Sequence, residues 1–355
     1  MTIASHVSGF ANAGVGSISF PETINGTTTN GFINSIVVNS SGLFVAVGYE
    51  SSTSYPLYAT SSNGTVWTTP ARMNSSTTYA RMNGVTVNSS GLFVAVGYDS
   101  IGAPLYATSS DGSSWSTPAR MNGSSAAAYM RAIEVNSSGQ FVAIGSDDNI
   151  SSFAHGIYAT SSNGSTWTTP ARFNGSATIA AFFTLSVNSS GLFVAGGTNS
   201  TGKQLTSVSS NGGSTWTTPA LIFGSGSGGF YTTFVKSGNF IGVGYYSSNT
   251  ICYASSSDGI TWAAPTTISL SFDFFTNGSV VSPSGLIIVV GYNSSTTKSY
   301  YMTSSNGSTW SSLSSIDTST GTSLLSHVAV NSSGLFVLVG QTSSPIPSYA
   351  YGNLS

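Results

Sequence analysis

Acid-base catalysis, metal binding and recognition of charge all draw on titratable side chains, and this chain of 355 residues carries few: ten acids, eight bases, three histidines and one cysteine. Arg72, Arg81, Arg120, Arg131 and Arg172 are the groups best able to hold an anion. Three of them, Arg72, Arg120 and Arg172, close the same Pro-Ala-Arg triplet in successive stretches of chain. Equivalent positions of a repeat spread around an array and do not converge on one atom. Cleavage of a glycosidic bond by paired carboxylates needs two of them roughly 5 to 10 Å apart. Glu134 is the acid placed inside a predicted innermost strand, where it would face a central channel; the plain alternative is a solvated wall residue. Asp147, Asp148 and Asn149 form an oxygen-rich loop that could hold a cation, although a solvated loop explains them equally simply. His6, His155 and His327 are scattered, and the lone Cys252 sits in an apolar run, so neither a zinc site nor a disulfide is expected. No cofactor, metal or catalytic residue is expected.

Charged residues make up 5% of the chain, far below the quarter or so of an average soluble domain, and hydroxyl and amide side chains take their place on the surface. A net charge of −2 without a basic run lacks the electrostatic footprint of a nucleic-acid or anionic-membrane binder. No apolar stretch approaches the ~20 residues of a membrane-spanning helix. The opening MTIASHVSGF has neither the basic region nor the apolar segment of a signal peptide, and a soluble chain is expected.

The elements that must position these residues follow from a repeat of about 49 residues, within the range of blade-type units. Trp67, Trp115, Trp167, Trp216, Trp262 and Trp310 recur at gaps of 48, 52, 49, 46 and 48. Each unit holds four strand signals: a short alternating run, a continuous apolar run such as 92–98, a mixed run such as 104–110, and a run closing on tryptophan. An apolar run with no alternation has both faces covered, as when a four-stranded blade lies between two neighbours. An Asn-Ser-Ser-Gly turn joins the first two strands in five units, and pairs such as Asn63-Gly64 and Asp111-Gly112 make the tight hairpin before the tryptophan.

The two ends are complementary. Pro21, Asn25 and Asn39 repeat the spacing of Pro70, Asn74 and Asn88, so Gly16 to Phe20 reads as a fourth strand with no first three before it. Residues 327–330, 335–340 and 348–352 read as three strands with no fourth. The chain is therefore expected to be an all-β, seven-bladed β-propeller of four-stranded antiparallel blades, residues 16–355, closed by pairing the N-terminal strand with the C-terminal blade. Residues 1–15 would form an N-terminal arm able to contact another subunit; a strand exchanged between subunits would instead build a filament.

SSDGSSW (109–115), SSNGSTW (161–167 and 304–310) and SSDGITW (256–262) resemble the Asp-box (BNR-type) repeat of sialidase-like propellers, in a style also met in phage and other surface-exposed repeat proteins. Most copies are one residue short before tryptophan; Ser209, Asn211, Gly213, Thr215 and Trp216 keep the full spacing. The resemblance implies a propeller in which the box is a structural turn, so Asp111 and Asp258 are expected to hold hairpins. Sialidase chemistry would further imply three converging arginines, a tyrosine nucleophile with its glutamate, and an acid. The family's N-terminal arginine motif is missing.

In such a propeller the longer loops share one face, which would collect all five arginines together with Tyr79, Tyr129, Phe182, Phe183, Tyr231 and Phe274. Flat rings beside hydrogen-bonding groups suit glycans or a protein surface. Arg72, Arg81, Arg120, Arg131, Arg172, Tyr79 and Tyr129 are thus the candidate ligand-binding residues. The expected function is a non-catalytic structural or adhesion propeller of a virion, cell surface or extracellular filament, homo-oligomeric, with glycan or subunit binding on that face. The alternatives are a sialidase-like glycoside hydrolase and a soluble lectin.

Overall fold

The repeat folds as read, in a computed structural model that describes residues 14–19, 21–24, 30–124, 127–147, 155–173, 180–222, 229–316, 323–342 and 344–354. Seven antiparallel sheets form the blades of one ring, six of them with their strands in sequential order. The innermost strands of blades one to seven are Gly31–Val38, Arg81–Val87, Tyr129–Val135, Ala180–Val187, Gly229–Lys236, Phe274–Val281 and Ser323–Val330. Each pairs with an apolar second strand, Phe44–Glu50 in blade one, whose five residues Phe44 to Gly48 are all buried. The fourth strands are short, two residues in most blades.

The ring closes within the chain. Blade seven takes its outer strand from the N-terminus: Val15–Ile18 pairs with the last strand at Leu354 and Gly352, and Glu22–Thr23 pairs with it at Tyr349 and Ser348. Val15 then packs into the core shared by blades six and seven, and Ile24 into the core shared by blades seven and one. Residues 1–13, and with them His6 and most of the expected arm, lie outside the described residues, as do Phe20, Asn25, Asp148 and Asn149.

The core lies between blades and not within them. Six of the junctions join one blade's apolar strand to the next blade's tryptophan, as when Tyr58 of blade one meets Trp115 of blade two at 6.2 Å between ring centroids; the junction of blades six and seven packs without one. The hairpin turns hold those tryptophans in place. Asp111 accepts the backbone N–H groups of Ser113 and Ser114 at 2.8 and 2.6 Å, Ser109 Oγ accepts that of Gly112, and Trp115 Nε1 donates to the Gly112 carbonyl at 2.9 Å. Asn63, Asn163 and Asn306 accept in the same way, which explains why amide and carboxylate alternate there. The hydrogen bonds to its ionised form hold the Asp111 carboxyl well below its usual range.

Candidate binding site at the channel mouth

A glycine recurs in every second strand: Gly48, Gly97, Gly145, Gly197, Gly244, Gly291 and Gly340. A Cβ on Gly48 would lie 1.7 Å from the Phe32 carbonyl oxygen, and the other six would meet the first-strand carbonyl of their own blade at 1.8 to 2.0 Å. No larger residue fits, because the first strand bulges against this point in all seven blades. The bulge adds one residue, and the added side chain turns to the central channel. At this level Asn34, Asn83, Arg131, Phe183, Tyr231 and Asn277 line the wall.

Below the bulges the next residues are mostly small: Ser35, Gly84, Ala132, Thr184, Thr232 and Gly278, with His327 as the exception. Side chains tie the wall together around the ring. Asn34 Nδ2 donates to the Met82 carbonyl and Asn83 Nδ2 to the Met130 carbonyl, both at 2.8 Å, and Thr184 and Thr233 hydroxyls lie 2.9 Å apart. The channel encloses about 580 Å³. Deeper in it stands Glu134, the one carboxylate among the described residues that line it. Burial pushes Glu134 up to about 7 and His327 down to about 4, since neither charge is well solvated there.

Around the rim the same geometry makes an arc of rings. Phe183 stacks on Tyr231 at 5.7 Å, Tyr231 meets Phe275 edge-on at 6.5 Å, and Phe275 stacks with Tyr245 at 5.3 Å and Tyr292 at 5.8 Å. Burial raises the Tyr231 and Tyr292 phenols, which keeps both as neutral donors. Beyond Phe183 the rim continues with the guanidinium groups. Arg81 lies over Tyr49 at 4.8 Å and Tyr79 at 5.5 Å and donates from Nε to Ser54 Oγ at 3.2 Å. Arg131 lies over Phe183 at 5.6 Å, and Tyr129 meets Tyr98 edge-on at 4.8 Å. All of these side chains are half-buried, each with an edge open to solvent.

Of the sequence-derived candidates, the structure brings Arg81, Arg131, Tyr79 and Tyr129 to this rim. It places Arg72, Arg120 and Arg172 elsewhere, each paired with an acid at the end of the second strand of its own blade. Arg72 makes a two-pronged contact with Glu50 at 2.7 and 2.9 Å, Arg120 reaches Asp99 at 2.6 Å, and Arg172 reaches Asp147 at 2.6 Å. These pairs brace the outer part of the blade, and Asp147 is engaged by an arginine, not set aside for a cation. Arg72 hydrogen-bonds Glu50 and lowers its carboxyl. Phe182 and Phe274, expected on the exposed face, are buried in the core; the bulge gives the outward position to Phe183, and plain alternation ahead of the blade-six bulge gives it to Phe275. Tyr49, Tyr98, Tyr245 and Tyr292 were not among the candidates, although each follows the recurrent glycine directly and so carried a signal.

Among the described residues no three histidine, cysteine or acidic side chains cluster as a metal site would require, and no helix is long and apolar enough to cross a membrane. Cys252 is fully buried, accepts from Gln204 Nε2 at 3.0 Å, and has its thiol pushed up to about 11 by burial.

No protein-family model matches the sequence, and no curated protein does. Solved structures share its fold. The chain is similar to the BP39L lectin from Burkholderia pseudomallei at 14% identity and a TM-score of 0.69, over 91% of this chain and 98% of that one. It is similar to YCF48 bound to a D1 peptide at 14% identity and 0.64, over 100% and 99%. It is also similar to a polysaccharide lyase, an ulvan lyase, at 11% identity and 0.61, over 98% and 96%. At these identities the likeness shows a seven-bladed β-propeller, all-β with four antiparallel strands to the blade and the N-terminus supplying the closing strand.

Proposed function

We propose that the chain is a non-catalytic structural or adhesion propeller displayed on a virion, cell surface or extracellular filament, and that it binds glycans at the channel mouth. The observation that carries this reading is the rim itself. A continuous arc of rings with phenolic hydroxyls is extended at the open channel mouth by two guanidinium groups, Arg131 over Phe183 at the end of the arc and Arg81 over Tyr49 beyond it. Sugars present C–H faces that pack on rings and hydroxyls that pair with phenols, amides and guanidinium groups. The described channel wall offers Glu134 as its single carboxylate, where hydrolysis by a carboxylate pair would need a second beside it.

That a structurally similar propeller is a lectin supports the binding reading. The Ser-x-Asp/Asn-Gly hairpins support kinship with Asp-box propellers, whose turns hold tryptophans as these do. Display as a homo-oligomer or filament would present many copies of one modest site and raise its avidity without new contacts. The reading is tested by a glycan array probed with the chain and with Tyr231→Ala. A set of glycans bound by the chain and lost in the variant is expected; an array on which both give the same blank or the same pattern overturns it.

A further inference from the structure

The opposite face of the ring breaks its own rule once. In six blades the residue before the second strand's first large side chain is Leu43, Leu92, Gln140, Leu192, Leu286 or Leu335. The first side chain of the five-residue turn fixes it, an asparagine in five blades and Ser282 in blade six, as Asn39 Oδ1 accepts the Leu43 N–H at 2.9 Å, and it fills the gap beside the next blade's hairpin glycine. A Cβ on Gly112, for instance, would lie 3.1 Å from Leu43. In blade five the turn is one residue shorter, Lys236 to Asn239 in place of Asn39 to Leu43, and the leucine is replaced by the exposed Asn239.

The space that a leucine occupies elsewhere is open here, as a cleft of about 280 Å³ between blades five and six. Its floor is apolar, with Ile241, Ala254 and Gly307; its walls are polar, with Asn239, with Lys236, whose ammonium gives one of its three donors to the Gly285 carbonyl, and with Tyr253, whose hydroxyl donates to the Ser308 carbonyl and keeps its acceptor side. A second observation sets the junction apart. Trp310 of blade six has a buried Nε1 that makes no hydrogen bond within the protein, whereas in Trp67, Trp115, Trp167, Trp216 and Trp262 it donates to the hairpin glycine carbonyl. Trp310 leans on Tyr253, the ring that lines the cleft, at 5.9 Å.

We infer that this cleft is a second binding site, separate from the channel mouth, that takes a single sugar ring. Its volume lies at the small end of ligand pockets, too small for a chain and adequate for one ring. A deletion that merely loosened packing would leave an apolar gap; here the vacated leucine position is an amide beside an ammonium and a phenol. Hydroxyls of a sugar would meet those groups while its C–H face lies on Ile241 and Ala254. The inference does not depend on the channel mouth.

The test is saturation-transfer NMR with methyl glycosides of a hexose, an N-acetylhexosamine and a hexuronic acid, on the full chain and three variants. Tyr231→Ala removes the mouth, so a signal that persists in it comes from the cleft. Asn239→Leu restores the side chain found at five of the six other junctions and fills the space; melting at or above the parent temperature shows that it is folded. Lys236→Ala keeps the floor and removes the ammonium. The expected result is a signal retained in Tyr231→Ala, reduced by about tenfold or more in Asn239→Leu, and weakened in Lys236→Ala. No signal from any of the three glycosides in Tyr231→Ala, or an undiminished one in Asn239→Leu, overturns the inference.

Discussion

Ring closure rests on few residues, and their removal should be felt by the whole molecule. Ile24 is fully buried in the cluster that joins blade seven to blade one, beside Trp67 and Tyr349. Truncating it to alanine loses the transfer free energy of the side chain and leaves a cavity, about 2 to 5 kcal/mol by analogy with other buried isoleucines. Deleting residues 1–24 removes more. Val15 and Ile24 together account for about 3 to 6 kcal/mol of burial. The bonds from Ser19 N to the Tyr351 carbonyl and from Tyr351 N to Ser19 Oγ add about 1 kcal/mol each. Set against a typical folding stability of 5 to 15 kcal/mol, the deletion should leave the ring marginal or unfolded. Urea titration followed by tryptophan emission measures both, with Trp67 at the junction as a reporter. A peptide spanning residues 14–24, added in excess, should restore part of the loss by refilling the open edge. A deletion that costs less than about 1 kcal/mol would refute the closure argument.

Other outcomes follow from the same geometry. Asp111→Asn should change stability at neutral pH by less than about 0.5 kcal/mol, because Asn63 and Asn163 hold identical turns, whereas Asp111→Ala strands two backbone N–H groups and should cost about 1 kcal/mol. The depressed carboxyls of Asp111 and Asp258 stabilise the fold above their unfolded range near 3.8, and that contribution is lost on acidification through the folded values. Replacing both with Asn should therefore flatten the loss of stability below about pH 4, read from melting temperature against pH. Glu134 runs the other way. Its folded value is raised from 4.5 to about 7, so its contribution is present below pH 4.5 and is lost as pH rises to 7; Glu134→Gln should gain on the parent across that window. His327, lowered from 6.5 to about 4, favours folding above 6.5 and loses that contribution as pH falls, so His327→Gln should gain on the parent below pH 6.

Much of the fold was legible because a blade is a local object. The tryptophan spacing, the continuous apolar strand and the Asn-Gly and Asp-Gly hairpins each report contacts within some 50 residues, and Pro21 matching Pro70 showed that the N-terminus supplies an outer strand. The placement of Glu134 on the channel wall followed from the same reading. The rim was harder to see. A bulge reverses which of two adjacent residues faces out, so Phe182 and Phe183 could not be told apart without it, and alternation alone does not announce a bulge. The ion pairs were hidden for another reason. Glu50 and Arg72, like Asp99 and Arg120, lie more than 20 residues apart on the second and fourth strands, and only the recurrence of an acid after the second strand, matched to the later Pro-Ala-Arg, could have linked them.

The most direct measurement is calorimetric titration of an array-selected glycan into the chain and into two single variants, Tyr231→Ala at the rim and Arg120→Ala at an outer ion pair. The account predicts that Tyr231→Ala weakens binding by about tenfold or more while Arg120→Ala leaves it unchanged. Equal binding by Tyr231→Ala and the parent, or a loss confined to Arg120→Ala, would contradict it and move the site away from the channel mouth.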